Sequence, residues 1–504
     1  MADSKNKWGN NTSFELCKQI CLITPPSPFL LDERVFLHIG VLKVAAALEH
    51  KGYRVDFLDL AGVAEGEEVL EVYIRNNPTV KTFGITATTP QVPFAFTIAK
   101  KIRELAPEAK IILGGTHISL MNSAIKKEKV PGRATRDIEE LLNHFDVLVA
   151  GDGEKAIFEA LEIDRGIVDA DVPRGGLFLT NDELEALPLP ARHLVDMDSY
   201  HYSIEGVKAT SLICQLGCPF RCTFCGGRNS PFLRKIRTRS SDSVVDEARH
   251  LYDTYGFTGF MFYDDELNVS KEWESLLEKL VVLQKEVNEQ FMFRGFVKAE
   301  LFTQRQADLM YAAGFRWLLT GFESGDEHIL TNIEKNADVA ANTMCMQYAK
   351  NAGLKVKALM SIGHAGESKE TIENTKNWLL ETKPDDFDCT IITTYPGSPY
   401  FDEAIKKEDH YVYTQPRTGD KLYQKDLNYL EDPDYYKGDP DGGYSAYVWT
   451  DYITSEELVS QREKLESEVR NLLNIPFNPA GGVVKFEHSM GQGQLPSSIL
   501  RSTV

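Results

Sequence analysis

Four cysteines fall within twelve residues: Cys214, Cys218, Cys222 and Cys225. The other four, Cys17, Cys21, Cys345 and Cys389, are scattered. A disulfide framework would spread cysteines along a short secreted chain, whereas clustered cysteines in a reducing compartment point to a metal. Cys218, Cys222 and Cys225 lie in Gly217-Cys-Pro-Phe-Arg-Cys-Thr-Phe-Cys225, a loop following a strand. Three thiolates so placed can converge on one small inorganic centre, and thiolates are the usual ligands of iron–sulfur clusters. A four-iron cubane needs four ligands, so three cysteines leave one iron without a protein ligand. An open position of this kind separates a reactive metal site from a structural one. Counting Cys214 gives four thiolates and a closed zinc or cluster site. Cys214 falls in the apolar run Ser211-Leu-Ile-Cys-Gln-Leu216, which favours packing as a small hydrophobe.

The chain that must position these residues has 504 of them, enough for two to four domains. Its 42% hydrophobic content supports more than one core without covalent staples. Lys and Arg number 55 against 75 Asp and Glu, a formal charge of −20. Nucleic acid and anionic membranes therefore meet no attractive global field. No apolar run approaches the roughly 20 residues of a membrane helix. The opening MADSKNKWGNNTSFE lacks an apolar signal core, so the expected location is the cytoplasm.

Residues 1–160 alternate strand and helix patterns. Strands are expected at Ile20–Thr24, Tyr53–Leu58, Val80–Ile85, Lys110–Leu113 and Phe145–Val149, with helices at Ile39–His50 and Val92–Leu105. Such alternation predicts an α/β fold with a doubly wound, Rossmann-like parallel sheet. Ligands of these sheets bind outside the carboxyl ends of the strands. There the chain places Thr86, Thr88 and Thr89, then Gly114 and Gly115, then Gly151 and Gly153. Taken singly these are turn residues; at three strand ends together they suggest a ligand edge.

Residues 161–205 read as a linker interrupted by Leu187-Pro-Leu-Pro190. From 206 to 400 six βα-like units follow, with strands at Ala209–Gln215, Gly259–Tyr263, Phe291–Val297, Trp317–Thr320, Lys355–Ile362 and Phe387–Thr393. Six units predict a partial (β/α)6 TIM-type barrel, active at its strand C-termini, with an open doubly wound sheet as the alternative. Residues 401–504 read as a Tyr- and Asp-rich cap, a charged helix near Ser455–Leu473 and a flexible tail.

On Cys218, Cys222 and Cys225 the chain resembles the radical S-adenosylmethionine (SAM) enzymes, whose motif is CxxxCxxC. Tyr263-Asp-Asp-Glu266, Gly321-Phe-Glu-Ser-Gly325, Gly363-His-Ala-Gly-Glu367 and Tyr395-Pro-Gly-Ser-Pro399 are similar to later landmarks of that family. The first sheet resembles the cobalamin-binding domain that precedes the barrel in one large subgroup. The resemblance implies a [4Fe-4S] cluster held by the three cysteines, with SAM chelated at the fourth iron and cleaved by one electron to a 5′-deoxyadenosyl radical. It also implies SAM contacts from Asp264, Asp265, Glu323 and Ser324, and a pairing of Lys298 with the SAM carboxylate. The family's usual second-strand sequence is glycine-rich with a glutamate, so Tyr-Asp-Asp-Glu departs from it.

Cobalamin is the second cofactor implied, its nucleotide tail and corrin edge contacted by Thr86, Thr88, Thr89, Gly114, Gly115, Gly151 and Gly153. Residues 1–160 hold no DxHxxG motif. His38 and His117 lack its surroundings, so no histidine ligand to cobalt is expected. The resemblance implies methylation of an unactivated carbon in a small or peptidic substrate, with a flavodoxin or ferredoxin as one-electron donor. Radical rearrangement or cyclisation, with or without cobalamin, is the first alternative, and a non-catalytic four-cysteine metal protein the second. A tRNA methylthiotransferase is disfavoured because no basic C-terminal RNA-binding module is evident. Arg221, Arg228, Arg234, Lys235, Arg237 and Arg239 share a nineteen-residue window without an acid. This strip either holds an anion (SAM carboxylate, substrate or cobalamin phosphate) or forms salt bridges with the acidic excess.

Overall fold

The computed structural model describes residues 18–30, 32–432 and 444–476. Its first sheet has six parallel strands: β1 (Gln19–Thr24), β2 (Arg54–Asp59), β3 (Thr82–Thr86), β4 (Lys110–Gly114), β5 (Val147–Gly151) and β6 (Gly166–Ala170). Their spatial order is β2-β1-β3-β4-β5-β6. β1 lies between β2 and β3 and is buried along nearly its whole length, which is why its sequence is a continuous apolar run. Strand order reverses between β1 and β3, so the crevice beyond Thr24 and Thr86 is the topological switch point where such sheets take ligands. β6 comes from the stretch read as linker. It is a five-residue edge strand with Gly, Asp and alternating burial, too short and polar to stand out in sequence.

The second sheet runs β15-β14-β13-β12-β11-β8-β7. Six of its strands are parallel: β8 (Val207–Leu212), β11 (Gly259–Phe262), β12 (Met292–Phe296), β13 (Phe315–Glu323), β14 (Lys355–Ile362) and β15 (Asp386–Ile391). The short β7 (Ser203–Ile204) pairs antiparallel at one edge. A two-stranded ribbon, β9 (Gln215–Leu216) with β10 (Arg237–Thr238), closes the base of the cysteine loop. Phe260, Phe262, Phe291, Phe293 and Phe315 stack or tilt on one another at 5.4–6.2 Å beneath Trp273. This aromatic core is continuous with Ile20, Leu22 and Leu42 of the first domain. The two sheets therefore share apolar packing.

Past the barrel, β16 (Ile405–Lys406), β17 (His410–Thr414), β18 (Lys421–Lys425) and β19 (Val448–Trp449) form an antiparallel sheet. Its tyrosines serve as packing: Tyr413 and Tyr429 are buried, and the Tyr429 hydroxyl donates to the Thr394 carbonyl at 2.5 Å. The helix Ser455–Leu473 starts at a Thr454/Glu457 capping box and buries Leu458, Leu465 and Val469. The expected tail after residue 476 lies outside the described residues, as do residues 433–443 of the Tyr- and Asp-rich segment.

Candidate active site

The cysteine loop is built from its ends inward. Gly217 has φ +88, and a Cβ there would stand 2.4 Å from the Lys235 carbonyl oxygen, so only glycine lets the loop leave the ribbon. Cys218 N–H donates to Leu233 O at 2.9 Å, and Thr223 N–H to Ile333 O at 2.9 Å. Phe224 packs edge-on against His364, with ring centroids 5.2 Å apart. The loop is thus anchored to its own ribbon, to the segment after β13 and to the end of β14.

Cys218 and Cys222 are half-buried, and Cys225 is exposed. Burial nevertheless pushes the Cys218 and Cys225 thiols up to about 12, and that of Cys222 above its usual value. Charge on Cys225 would raise the Cys218 pKa, and charge on Cys222 that of Cys225, so the sulfurs are electrostatic neighbours. Among the described residues, no three Cys, His, Asp or Glu side chains gather closely enough to grip a single ion. A cubane asks for something else, each sulfur on its own iron corner. Three neighbouring thiols that resist ionising alone suit a site that a cationic cluster completes.

Cys214 is placed differently from expectation. The strand stops at Leu212, so Cys214 lies in a bend between β8 and β9. It is buried all the same, and its Sγ donates to Asp264 Oδ1 at 3.0 Å. Asp264 also accepts from Cys214 N–H at 3.1 Å and Gln215 N–H at 2.5 Å. These contacts fall on Oδ1, while Oδ2 shares the Cys214 N–H at 3.2 Å, so the carboxylate fixes the entry to the loop.

Asp265 and Glu266 continue past β11. Asp265 is exposed and accepts from Gly217 N–H; burial lifts its carboxyl to about 6. Burial lifts Glu266 to about 7, against the pull of Lys335 and Lys298, and its buried Oε2 has no hydrogen-bond partner. An unpartnered carboxylate oxygen beside the loop fits a ligand ammonium such as that of SAM. Lys298 lies beneath the loop: its ammonium is 4.5 Å from the Phe220 ring centroid, 3.1 Å from Glu300 and 3.1 Å from Lys335 O.

Glu323 sits at a β-bulge between β13 and β14, with φ +66, a conformation unusual for a non-glycine residue. Bulges re-aim side chains, and strain of this kind concentrates at functional sites. Ser361 Oγ donates to Glu323 Oε2 at 2.7 Å, and Lys335 Nζ lies 3.4 Å from Oε1. Ser361 has one hydrogen, so His364 Nε2, 2.8 Å away, must donate to it. His364 Nδ1 then accepts from the Tyr400 hydroxyl at 3.3 Å. Burial holds the His364 pKa near 3, which agrees with that neutral tautomer. Burial works against the charge of Lys335, but Glu323, Cys222 and Glu266 more than offset it and keep the ammonium protonated. Ser324 belongs to the turn instead, paired with Thr375 Oγ1 at 3.0 Å and accepting from Asp326 N–H. Lys335 carried no motif or periodic signal in the sequence. The Glu323–Ser361–His364 contacts join two landmarks that sequence treats as separate.

At the edge of the first sheet, Thr86 and Gly114 end neighbouring strands in register. Thr88 forms a capping box with Gln91. Thr89 Oγ1 lies 3.2 Å from His117 Nδ1. Gly115, at φ +102, approaches Ala87 so closely that a Cβ would stand 2.5 Å from its carbonyl oxygen. Gly151 N–H donates to Ser119 Oγ at 2.9 Å, and Gly153 opens the helix Gly153–Glu162. His117 is fully buried with its pKa lowered to about 3, and its Nε2 has no partner; Thr24 Oγ1, at the end of β1, is likewise buried and unpartnered. Two orphaned polar atoms near the switch point fit an incoming polar ligand such as a nucleotide tail.

The basic strip divides. Arg237, nearly fully buried, pairs with Asp152 at 2.5 Å, and Arg239 pairs with Glu247. These are the salt bridges of the alternative reading. Arg221, Arg228, Arg234 and Lys235 line an open groove.

The model of the B12 binding domain matches residues 35–161, and that of the radical SAM superfamily residues 212–379. The chain belongs to the cobalamin-dependent radical SAM enzymes. The family's cofactors are a [4Fe-4S] cluster, SAM and cobalamin. An uncharacterized methyltransferase of Pyrococcus horikoshii is 25% identical over 398 residues, 77% of this chain and 83% of that protein. An anaerobic magnesium-protoporphyrin IX monomethyl ester cyclase of Cereibacter sphaeroides is 26% identical over 402 residues, 74% of this chain and 61% of that one. Among solved structures, the radical SAM methyltransferase TsrM of Kitasatospora setae, with cobalamin and [4Fe-4S] cluster bound, superposes with TM-score 0.60 at 17% identity. That match covers 92% of this chain and 90% of TsrM. The cobalamin-dependent radical SAM enzyme OxsB gives 0.54 at 14% identity, covering 76% and 54%. These two likenesses are of fold. No helix among the described residues is long and apolar enough to cross a membrane.

Proposed function

We propose that this radical SAM enzyme methylates a carbon of a small or peptidic substrate in the cytoplasm, drawing single electrons from a flavodoxin- or ferredoxin-type donor. The Cys214–Asp264 contact carries the reading: it removes a fourth sulfur and leaves a three-cysteine set. The names of relatives favour methyl transfer, since the methyltransferase is matched over 83% of its length and the cyclase over 61%.

When bound, the cluster supplies one electron to the SAM sulfonium and the corrin carries the methyl group. The polypeptide places and shields them. Cys218, Cys222 and Cys225 would hold the cluster. Asp264 fixes the loop entry through two backbone N–H groups. Asp265 and Glu266 are set to receive an ammonium, and Lys335 a carboxylate. Glu323, held by Ser361 and Lys335, offers an acceptor at the barrel mouth. Thr86, Thr89, Gly114 and Gly115 would form the near wall of the corrin-tail crevice, with Thr88, Gly151 and Gly153 beside it. His117, tied to Thr89 and enclosed, is assigned to that wall and not to cobalt. The Tyr400 and Tyr413 rings, 4.9 Å apart, pack where the cap meets the barrel and help keep water out.

The test is anaerobic reconstitution with iron, sulfide and hydroxocobalamin, followed by incubation with methyl-labelled SAM and candidate substrates. Label in a new C–CH3 bond, accompanied by 5′-deoxyadenosine, supports the reading. 5′-Deoxyadenosine without methyl transfer in any substrate that it alters points to rearrangement or cyclisation.

A further inference from the structure

The outward side of the cysteine loop carries a groove of about 550 Å3 lined by five cations, Lys127, Arg221, Arg228, Arg234 and Lys235, together with Pro219, Asn229 and Pro231, and with no acid among its lining residues. Among the described residues only Arg228 of these five is in an ion pair, 3.1 Å from Glu334. Arg234 is fixed by donating to Arg228 O and Pro219 O, and the neighbouring Arg221 and Arg228 lower its pKa beyond the effect of burial. A chain of charge −20 thus concentrates unneutralised positive charge over the loop.

The groove's position argues against a cofactor or substrate pocket. Lys127 follows the helix Thr116–Ile125, whose first turn stands at the carboxyl edge of the first sheet. At 1.5 Å per residue it lies roughly 15 Å from that edge. Pro219 and Arg221 are exposed residues between two cysteines, whereas Phe220 between them turns inward over Lys298. The groove is open, faces solvent and reaches the loop backbone.

We propose that this groove docks a small acidic one-electron carrier protein, which passes one electron to the cluster held by Cys218, Cys222 and Cys225. The proposal rests on the cluster reading above. The carrier is oxidised by one electron and the cluster reduced by one, with no bond made or broken. Charge complementarity picks the partner: the acidic remainder of the surface repels an acidic protein, and the groove draws it to the outer side of the cysteine loop, where Arg234 feels the charge of Cys218 and Cys225.

The test compares reconstituted enzyme with a Lys127→Glu/Lys235→Glu variant, both positions being exposed and outside the cysteine loop. Cluster reduction is followed by stopped flow with two reductants, a reduced acidic [2Fe-2S] ferredoxin and reduced methyl viologen, a small cation. The ferredoxin rate constant should fall about tenfold or more at low ionic strength, and its salt dependence should flatten. The viologen rate should not fall. An unchanged ferredoxin rate and salt slope overturns the docking assignment, as does equal slowing with both reductants, which marks a damaged cluster site. If viologen reduces neither protein, the cluster reading fails and the docking surface fails with it.

Discussion

A buried ion pair joins the carboxyl edge of the first sheet to the base of the cysteine loop, and breaking it should be costly in a pH-dependent way. Asp152 follows β5 at the carboxyl edge of the first sheet and accepts from Leu179 N–H at 2.8 Å and from Arg237 at 2.5 Å. Arg237 lies in β10 at the base of the cysteine loop, its guanidinium 4.4 Å from the Phe178 ring centroid and 5.2 Å from that of Phe232. Both side chains are about 2% exposed or less. Burial raises the Asp152 carboxyl to about 6 even with arginine beside it. Arg237→Met strands that carboxylate, and removing one partner of a buried pair costs about 3–5 kcal/mol. The stranded group escapes by taking a proton. Its folded pKa then stands further above its unfolded value, so the native state binds more protons than the unfolded one and stability falls as pH rises. Conversely, the penalty of Arg237→Met should shrink on acidification by up to about 1.4 kcal/mol per pH unit, down to about pH 6, where the wild-type carboxyl takes up a proton as well. The double variant Asp152→Asn/Arg237→Met, with no stranded charge, should lose only about 0–2 kcal/mol. Urea unfolding followed by tryptophan fluorescence at pH 7.5 and 5.5 measures these quantities. A coupling energy below about 1 kcal/mol, or a penalty independent of pH, refutes the reasoning.

Cys222→Ala should abolish the brown cluster chromophore and 5′-deoxyadenosine formation, whereas Cys214→Ala should retain both; iron analysis and absorbance distinguish them. Glu323→Ala should keep iron content within error yet lower 5′-deoxyadenosine yield by about tenfold or more, since each lost charge-assisted contact is worth about 1.5–3 kcal/mol. Gly115→Val, which forces a side chain against Ala87 at positive φ, should lower corrin retention measured after gel filtration without changing iron content. His117 has its folded pKa depressed from 6.5 to about 3, so its contribution is present above 6.5 and lost as pH falls toward 3. The stability difference between wild type and His117→Gln should therefore narrow by about 2 kcal/mol between pH 7.5 and 5, read from urea midpoints.

The parallel strands were legible because strands buried on both faces are continuous apolar runs, as in Ile20–Ile23 and Ile111–Leu113. β6 was not, because an edge strand of five residues with Gly166 and Asp169 carries little of that signal. The cysteine loop was legible from spacing alone. The fate of Cys214 was not: sequence places it in a strand wall, while the structure puts it in a bend whose burial depends on Asp264, fifty positions later. Long-range pairing also decided the basic strip. Arg237 and Arg239 are internal because Asp152 and Glu247 meet them from other elements, and nothing within the nineteen-residue window separates them from the groove-lining Arg221 and Arg234. Lys335 and the Glu323–Ser361–His364–Tyr400 chain are products of the bulge and of barrel curvature, which a linear pattern does not encode.

The claim of a cluster held by three sulfurs is tested most directly by Mössbauer spectroscopy of the 57Fe-reconstituted enzyme with and without SAM. One iron of the four should change its parameters when SAM is added, in both the wild type and Cys214→Ser. Four irons that ignore SAM, or a spectrum that Cys214→Ser alters before SAM is added, contradict it.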